Sequence, residues 1–244
     1  MSDTIVIKIG GRASQHLSQE FLEQVEAWQA QEKSLVIVHG GGYAINQLME
    51  AAQIPVKKID GLRVTDQESL KLVQQALIEI VGKTIHASLT QAGLPSQQLV
   101  DQLPDLVEAQ FLDQSKYGYV GQVSQIHEQV LAPLLEQGVI PLIPSLGYQD
   151  GQTLLNINAD YLATGLAVAL QAEKLILMTD VPGVKENGQV LSRLKIGEIP
   201  EKIEQGIITG GMVPKLKSAA QTVRSGVKQV LIGDNLTSGS LIEA

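Results

Sequence analysis

The chain of 244 residues has no cysteine, which excludes disulfides, thiolate catalysis and cysteine-ligated zinc or iron–sulfur sites. Aromatic residues make up only 3%, while Val, Ile, Leu, Ala and Gly are abundant, a balance that fits a parallel sheet flanked by helices better than a β-sandwich. Basic residues are in the minority. Eighteen Lys and Arg against 26 Asp and Glu leave a net charge of -8, so no broad nucleic-acid or anionic-membrane surface is expected and any anion site must be local. No apolar run approaches the roughly 18 residues of a membrane span. The N-terminal run Ile5 to Ile9 is broken by Lys8 and preceded by Asp3, unlike a signal peptide, so the expectation is a soluble, cytoplasmic protein.

Several catalytic signatures are also missing. Gly82-Lys83-Thr84 ends like a P-loop, but Leu77 stands where that loop needs its first glycine, and the triplet falls in a helical pattern. His39-Gly40-Gly41-Gly42 looks like an esterase oxyanion strip, yet no G-x-S-x-G elbow accompanies it. Arg12 interrupts any G-x-G-x-x-G after the first strand. His16, His39, His86 and His127 show no H-E-x-x-H spacing, and no metal site is expected. His39 differs from the rest in ending a strand, where a hydrogen bond shaping the glycine turn is its simplest role.

What the sequence does contain is three glycine turns: Lys8-Ile9-Gly10-Gly11, Val38-His39-Gly40-Gly41-Gly42 and Thr209-Gly210-Gly211-Met212, the last followed by Lys215. Glycine lets backbone N–H groups approach an anion, a helix N-terminus adds positive potential, and nearby lysines complete the neutralisation. The pattern suits a polyphosphate.

Short apolar runs predict strands at Ile5 to Ile9, Leu35 to His39, Val139 to Ile143, Lys174 to Thr179 and Val227 to Ile232. Helical periodicity lies between them. Phe21, Leu22, Val25 and Trp28 mark one helix face, and Tyr43 to Ala52 supplies a second helix. A third opens on the capping box Thr65-Asp66-Gln67-Glu68, with Leu72, Val73, Ala76, Leu77 and Ile80 as its buried stripe, and ends near Gly93. Asp160 to Leu170 and Met212 to Ser225 complete the set. Strands alternating with helices imply right-handed crossovers and an open, mainly parallel sheet whose ligands collect at the C-terminal strand ends. Lys57 to Val64 reads as a hairpin around Asp60-Gly61, and Gln97 to Val123 as an antiparallel addition, both able to cover a small-molecule site. Length allows one large domain or two lobes sharing a sheet, with a boundary near residues 170–175.

A charge in the middle of Ile5-Val6-Ile7-Lys8-Ile9 points to function, because a central parallel strand buries both faces. Lys215 in a helix's first turn opposes the dipole unless an anion is present. Asn156, Asn158 and Asp160 alternate, so an extended segment would aim all three to one side, although a cap would account for one of them. Arg63 can grip a carboxylate with a bidentate fork.

Through Ile7 to Gly11, Val36 to Gly42, Asp60 to Thr65, Asn156 to Asp160, Thr179 to Val184 and Ile208 to Lys215, in this order and at these separations, the chain resembles the amino acid kinase family along essentially its whole length. The resemblance implies a three-layer α/β sandwich, with an open, mainly parallel central sheet, helices on both faces and β-hairpin lid elements. It implies an N-terminal lobe, 1–172, for the amino acid and dimerisation, and a C-terminal lobe, 173–244, for ATP, the two sharing one continuous sheet. The implied reaction is ATP-dependent phosphorylation of the side-chain carboxylate of N-acetyl-L-glutamate, with Mg2+ carried on the ATP phosphates. Lys8 and Lys215 would stabilise the transition state and Asp160 would orient both. Gly41, Gly42, Arg63, Asn156 and Asn158 would hold the acceptor. Gly10, Gly11, Asp180, Val181, Pro182, Gly183, Val184, Lys185, Ile207, Ile208, Thr209, Gly210 and Gly211 would surround the nucleotide. A carrier-protein-linked glutamate or aminoadipate is the alternative acceptor, and a non-catalytic amino-acid or nucleotide sensor the alternative role. Arginine-inhibited relatives carry an extra helix before the first strand, so the expectation here is a homodimer without arginine feedback.

Overall fold

The computed structural model describes residues 3–210 and 212–244. Gly211, expected beside the nucleotide, lies outside them. An eight-stranded sheet runs in the order Arg193–Lys195, Ser240–Glu243, Gln229–Gly233, Lys174–Met178, Thr4–Ile9, Ser34–His39, Ile140–Pro144, Ser96–Gln98. Neighbours are parallel except Gln229–Gly233 with Ser240–Glu243. The five expected strands are all present, each within two residues of its expected ends. All six residues of Thr4–Ile9 are buried, as a strand covered on both faces requires.

The order of strands explains where a ligand belongs. From Thr4–Ile9 the chain passes to Ser34–His39 on one side, whereas from Lys174–Met178 it reaches Gln229–Gly233 on the other. Right-handed crossovers therefore set helix Gln19–Ala30 on one face and helices Ala159–Ala169 and Met212–Arg224 on the opposite face. The two adjacent strands Thr4–Ile9 and Lys174–Met178 flank the point where the order reverses, and the crevice beyond their C-terminal ends is the favoured binding position in such sheets.

Two additions stand over that edge. Lys58–Ile59 pairs antiparallel with Leu62–Arg63 around Asp60 and Gly61, both at positive φ (52° and 80°), the expected hairpin with a tight primed turn. Strands Val107–Phe111, Val120–Ile126, Leu146–Gln149 and Thr153–Ile157 close into a second, smaller sheet, so the 97–123 segment is antiparallel only in part: Val107–Phe111 pairs that way with Val120–Ile126.

The third helix departs from expectation at its cap and along its length. Its N-cap is Asp66, whose carboxylate accepts from Ser69 N at 2.7 Å; Thr65, expected to cap, is pulled into an extended bridge with Gly118. Residues Ala76–Gly82 then form π-helix between α-helices Gln67–Gln75 and Lys83–Gln91. The wider turn shifts the buried stripe, leaving Ile80 40% exposed and burying Val81 in its place.

Candidate active site

Lys8 reaches the C-terminal edge from the central strand on the face covered by Ala159–Ala169. Its Nζ lies 2.8 Å from Asp160 Oδ1 and donates to the Met178 carbonyl at 3.0 Å. Asp160 sits in the first turn of that helix, behind the Asn158 N-cap. Lys215 approaches from the first turn of Met212–Arg224, with its Nζ 3.3 Å from Asp160 Oδ2. Two cations thus share one carboxylate. Burial pushes Asp160 upward, but the charges and hydrogen bonds of Lys8 and Lys215 outweigh it and hold the carboxyl below its ordinary range. Within this trio one carboxylate faces two ammonium groups, an excess of positive charge that favours an anion beside the lysines.

The glycine turns converge on the same place. A Cβ at Gly10 would lie 2.6 Å from Lys8 Nζ, and one at Gly11, which has φ +58°, would overlap the Asp180 carboxylate. Gly11 follows one switch-point strand and Asp180 the other, so the close approach needs a residue without a side chain. Gly41 is the N-cap of helix Gly42–Ala51 and supplies no side-chain bond to the helix's free N–H groups, which stay available to an anion. Its own Cα faces the π-helical turn, where a Cβ would lie 2.9 Å from Leu77 Cδ2.

Beside these turns is a cavity of about 210 Å³ lined by Gly40, Gly41, Gly42, Ile45, Lys58, Gly61, Leu62, Arg63, Val120, Ser145, Asn156, Ile157, Asn158 and Ala159. A second, of about 260 Å³, contains Asp160, Lys215 and Pro214 and shares Gly61, Leu62 and Asn158 with the first. The shared residues join an amino-acid-sized pocket to the cavity of Lys215 and Asp160, and Asp160 in turn holds Lys8. A larger cleft of about 520 Å³ lies between helix Gln19–Ala30 and the 234–238 segment, but among the described residues no basic side chain lines it, which suits it poorly to phosphate or carboxylate.

The expected acceptor residues meet here with two corrections. Asn156, Asn158 and Asp160 do not share an extended segment: Asn156 is in strand Thr153–Ile157, Asn158 is a cap and Asp160 is helical. They still reach the two joined cavities, because the strand-to-helix turn folds the last two back toward the first. Asn158 Oδ1 is occupied by the N–H groups of Asp160 and Tyr161, so capping takes its acceptor. Arg63 donates to Asn46 Oδ1 at 2.5 Å and contacts Met49 Sδ at 3.1 Å, and so is held at the pocket wall rather than standing free. Lys58 and Ser145 also line the pocket and were not singled out from sequence. Lys58 lies directly across the hairpin from Arg63, a register readable from the Asp60-Gly61 turn.

On the other side of the lysines, Val184 and Ile208 are buried in the core, and the Val184 carbonyl accepts from Leu191 N at 2.8 Å. Val184 N donates to Ser240 Oγ at 2.8 Å. Val181 is 40% exposed, Lys185 opens a two-residue strand, and Gly210 turns at φ +57° just before the last helix. His39 is wholly buried, and its ring makes only a weak hydrogen-bonding contact with the Gly40 backbone, short of good geometry, which is the turn-shaping bond expected of it in weakened form. Burial lowers its pKa to about 4 against a smaller opposing influence of the Gly40 backbone, so the ring is neutral at pH 7.

The amino acid kinase family model matches residues 3–234. The chain is 56% identical over 244 residues to an acetylglutamate kinase of Streptococcus mutans, covering 100% of both, and 45% identical over 242 residues to one of Staphylococcus epidermidis, covering 99% of both. A solved Streptococcus mutans structure, also 56% identical and covered completely in both directions, superposes with a TM-score of 0.94. Giardia lamblia carbamate kinase bound to AMP-PNP shares the fold at a TM-score of 0.70 with 16% identity, covering 99% of this chain and 98% of that one. Its sheet, its paired lysines and these relatives agree: the chain belongs to the amino acid kinase family.

Proposed function

We propose that the chain transfers the γ-phosphoryl group of ATP to the side-chain carboxylate of N-acetyl-L-glutamate, giving N-acetyl-L-glutamyl 5-phosphate for arginine biosynthesis. The observation that carries this reading is the Lys8–Asp160–Lys215 cluster, two cations on one carboxylate, at the join between the acceptor pocket and the glycine turns. Full-length identity of 56% to an acetylglutamate kinase supports the choice of acceptor.

The chemistry follows from charge. A carboxylate of ordinary pKa about 4.3 is already ionised at neutral pH and needs no general base. The obstacle is bringing two anions together, and the surplus positive charge of Lys8 and Lys215 offsets it as negative charge spreads over the transferring group. Asp160 holds both ammonium groups in place and touches neither reactant. The acceptor carboxylate lies near the N–H groups of Gly41 and Gly42, while Arg63 and Asn156 hold its amino-acid end, with Asn158 at the join. The close-packed glycine at Gly11 against Asp180 fits a triphosphate entering over bare backbone. Asp180 to Lys185 and Ile207 to Gly210 surround the rest of the nucleotide, and magnesium, bound to the ATP phosphates, supplies further charge neutralisation. Residues 1–172 form the amino-acid lobe and 173–244 the nucleotide lobe, and the chain works as a cytoplasmic homodimer.

ADP release over a panel of acceptors tests the reading. Turnover should require N-acetyl-L-glutamate and, with hydroxylamine present, yield the hydroxamate of an acyl phosphate. Equal rates with unacetylated glutamate would overturn the acceptor assignment, and ADP release without hydroxamate would overturn the carboxylate chemistry.

A further inference from the structure

Thr65 is completely buried, yet its hydroxyl is not spent on the helix that follows, because Asp66 caps it. That hydroxyl instead donates to the Arg63 carbonyl at 2.8 Å, and Asn156 Nδ2 donates to it at 3.0 Å. We infer that Thr65 is a positioning residue for the acceptor pocket, its single hydroxyl joining Arg63 to Asn156 and fixing which way the Asn156 amide faces. The inference rests on the proposed acceptor site.

Proton accounting makes the link directional. A carbonyl can only accept, so the Thr65 proton goes to Arg63, and toward Asn156 the oxygen has only lone pairs to offer. Asn156 must therefore turn its N–H2 to Thr65 and its carbonyl oxygen away, which leaves a hydrogen-bond acceptor on the side not facing Thr65. The backbone makes the node rigid. Thr65 N donates to Tyr117 O at 2.9 Å, Tyr119 N donates to Thr65 O at 2.7 Å, and Asn156 N donates to Tyr119 O at 2.9 Å. Three segments far apart in sequence are thereby stitched around one hydroxyl. Gly118 permits the stitch, since a Cβ there would overlap the Thr65 carbonyl. At the far end of the hairpin, Tyr117 Oη and Lys116 Nζ donate to Asp60 Oδ2 at 2.7 and 2.8 Å, so the same segment holds the hairpin at tip and base.

Thr65→Val keeps the side chain's shape and removes the hydroxyl. The expected result is a KM for N-acetyl-L-glutamate raised about tenfold, the loss of one hydrogen bond, with the ATP KM and kcat within about twofold of wild type. Thr65→Ser, which retains the hydroxyl, should restore the acceptor KM, and calorimetric titration of N-acetyl-L-glutamate should follow the same order. Thr65→Ala serves the same comparison if the valine variant does not fold. An unchanged acceptor KM, an equal rise in both KM values, or no rescue by serine would overturn the role of Thr65. Failure of the wild-type chain itself to bind N-acetyl-L-glutamate would overturn the substrate reading instead, and the variants would then be ranked on the acceptor that it does turn over.

Discussion

Gly10 and Lys8 compete for the same space: a Cβ on the glycine would lie 2.6 Å from the lysine's Nζ, with backbone no nearer than the Met178 carbonyl at 3.9 Å. The atom that must yield is the end of a flexible side chain, so the fold can tolerate Gly10→Ala while the ammonium cannot keep its position. The variant should melt within a few degrees of wild type and lose about tenfold or more in kcat. A full-rate Gly10→Ala enzyme would show that the position of Lys8 does not matter to catalysis.

Lys8→Ala and Lys215→Ala should each lower kcat by about 100- to 1000-fold, or roughly 2.7–4 kcal/mol, the usual cost of one preorganised donor. The double variant should cost less than the two combined, since both act on one transferring group. Asp160→Ala should slow turnover similarly while still binding ATP, and should also destabilise the chain, because it leaves the buried Lys8 without its counter-ion. Single-turnover rates and denaturant midpoints measure the two effects separately; additive losses for the lysine pair would assign them to independent sites.

Arg63→Ala should raise the acceptor KM about ten- to a hundredfold, as expected for a charge-assisted bond worth roughly 1.5–3 kcal/mol. Its guanidinium is already oriented by Asn46 and Met49, so little ordering remains to be done on binding. An effect confined to the ATP constant would move Arg63 out of the acceptor pocket.

Acid should destabilise the chain in two steps. His39 has a folded pKa of about 4 against 6.5 for the free side chain, so the unfolded chain takes up the proton first. Its contribution is fully present above about pH 6.5 and is lost as pH falls toward 4, amounting to as much as about 3 kcal/mol. Asp160, whose pKa is lowered, contributes above its unfolded value near 3.8 and loses that contribution only below it. Denaturant unfolding between pH 7 and 4.5 should therefore show a decline that His39→Leu flattens. An equally steep decline in that variant would place the acid sensitivity elsewhere.

The central strands were legible because burial on both faces writes an apolar run into the sequence, and the one charge in Thr4–Ile9 then marks the site. Ser96–Gln98 was not legible: Ser-Gln-Gln has no apolar pattern, and its pairing with Ile140–Pro144 is set by the fold around it. Thr65 was misread because Thr65 and Asp66 can both cap a helix, and only the tertiary bridge to Gly118 decides between them. Ile80 was misread because a π-helical turn leaves no sign in a 3.6-residue pattern. The alternation of Asn156, Asn158 and Asp160 suggested one extended segment with all three on one side, but strand gives way to helix there, and Asn156 and Asp160 border two different cavities with Asn158 lining both.

Thr4–Ile9 comes first in chain order among the described strands and is one of the innermost in the sheet, paired on one side with Ser34–His39 and on the other with Lys174–Met178. The second partner follows about 165 residues later, so at ordinary synthesis speeds of about 5–20 residues per second that edge stays open for roughly ten to thirty seconds. An open apolar edge invites pairing with another nascent chain, and an inward-pointing lysine is one of the devices that discourage it. Lys8, the one charge in that strand and buried within it, is a placement of this kind.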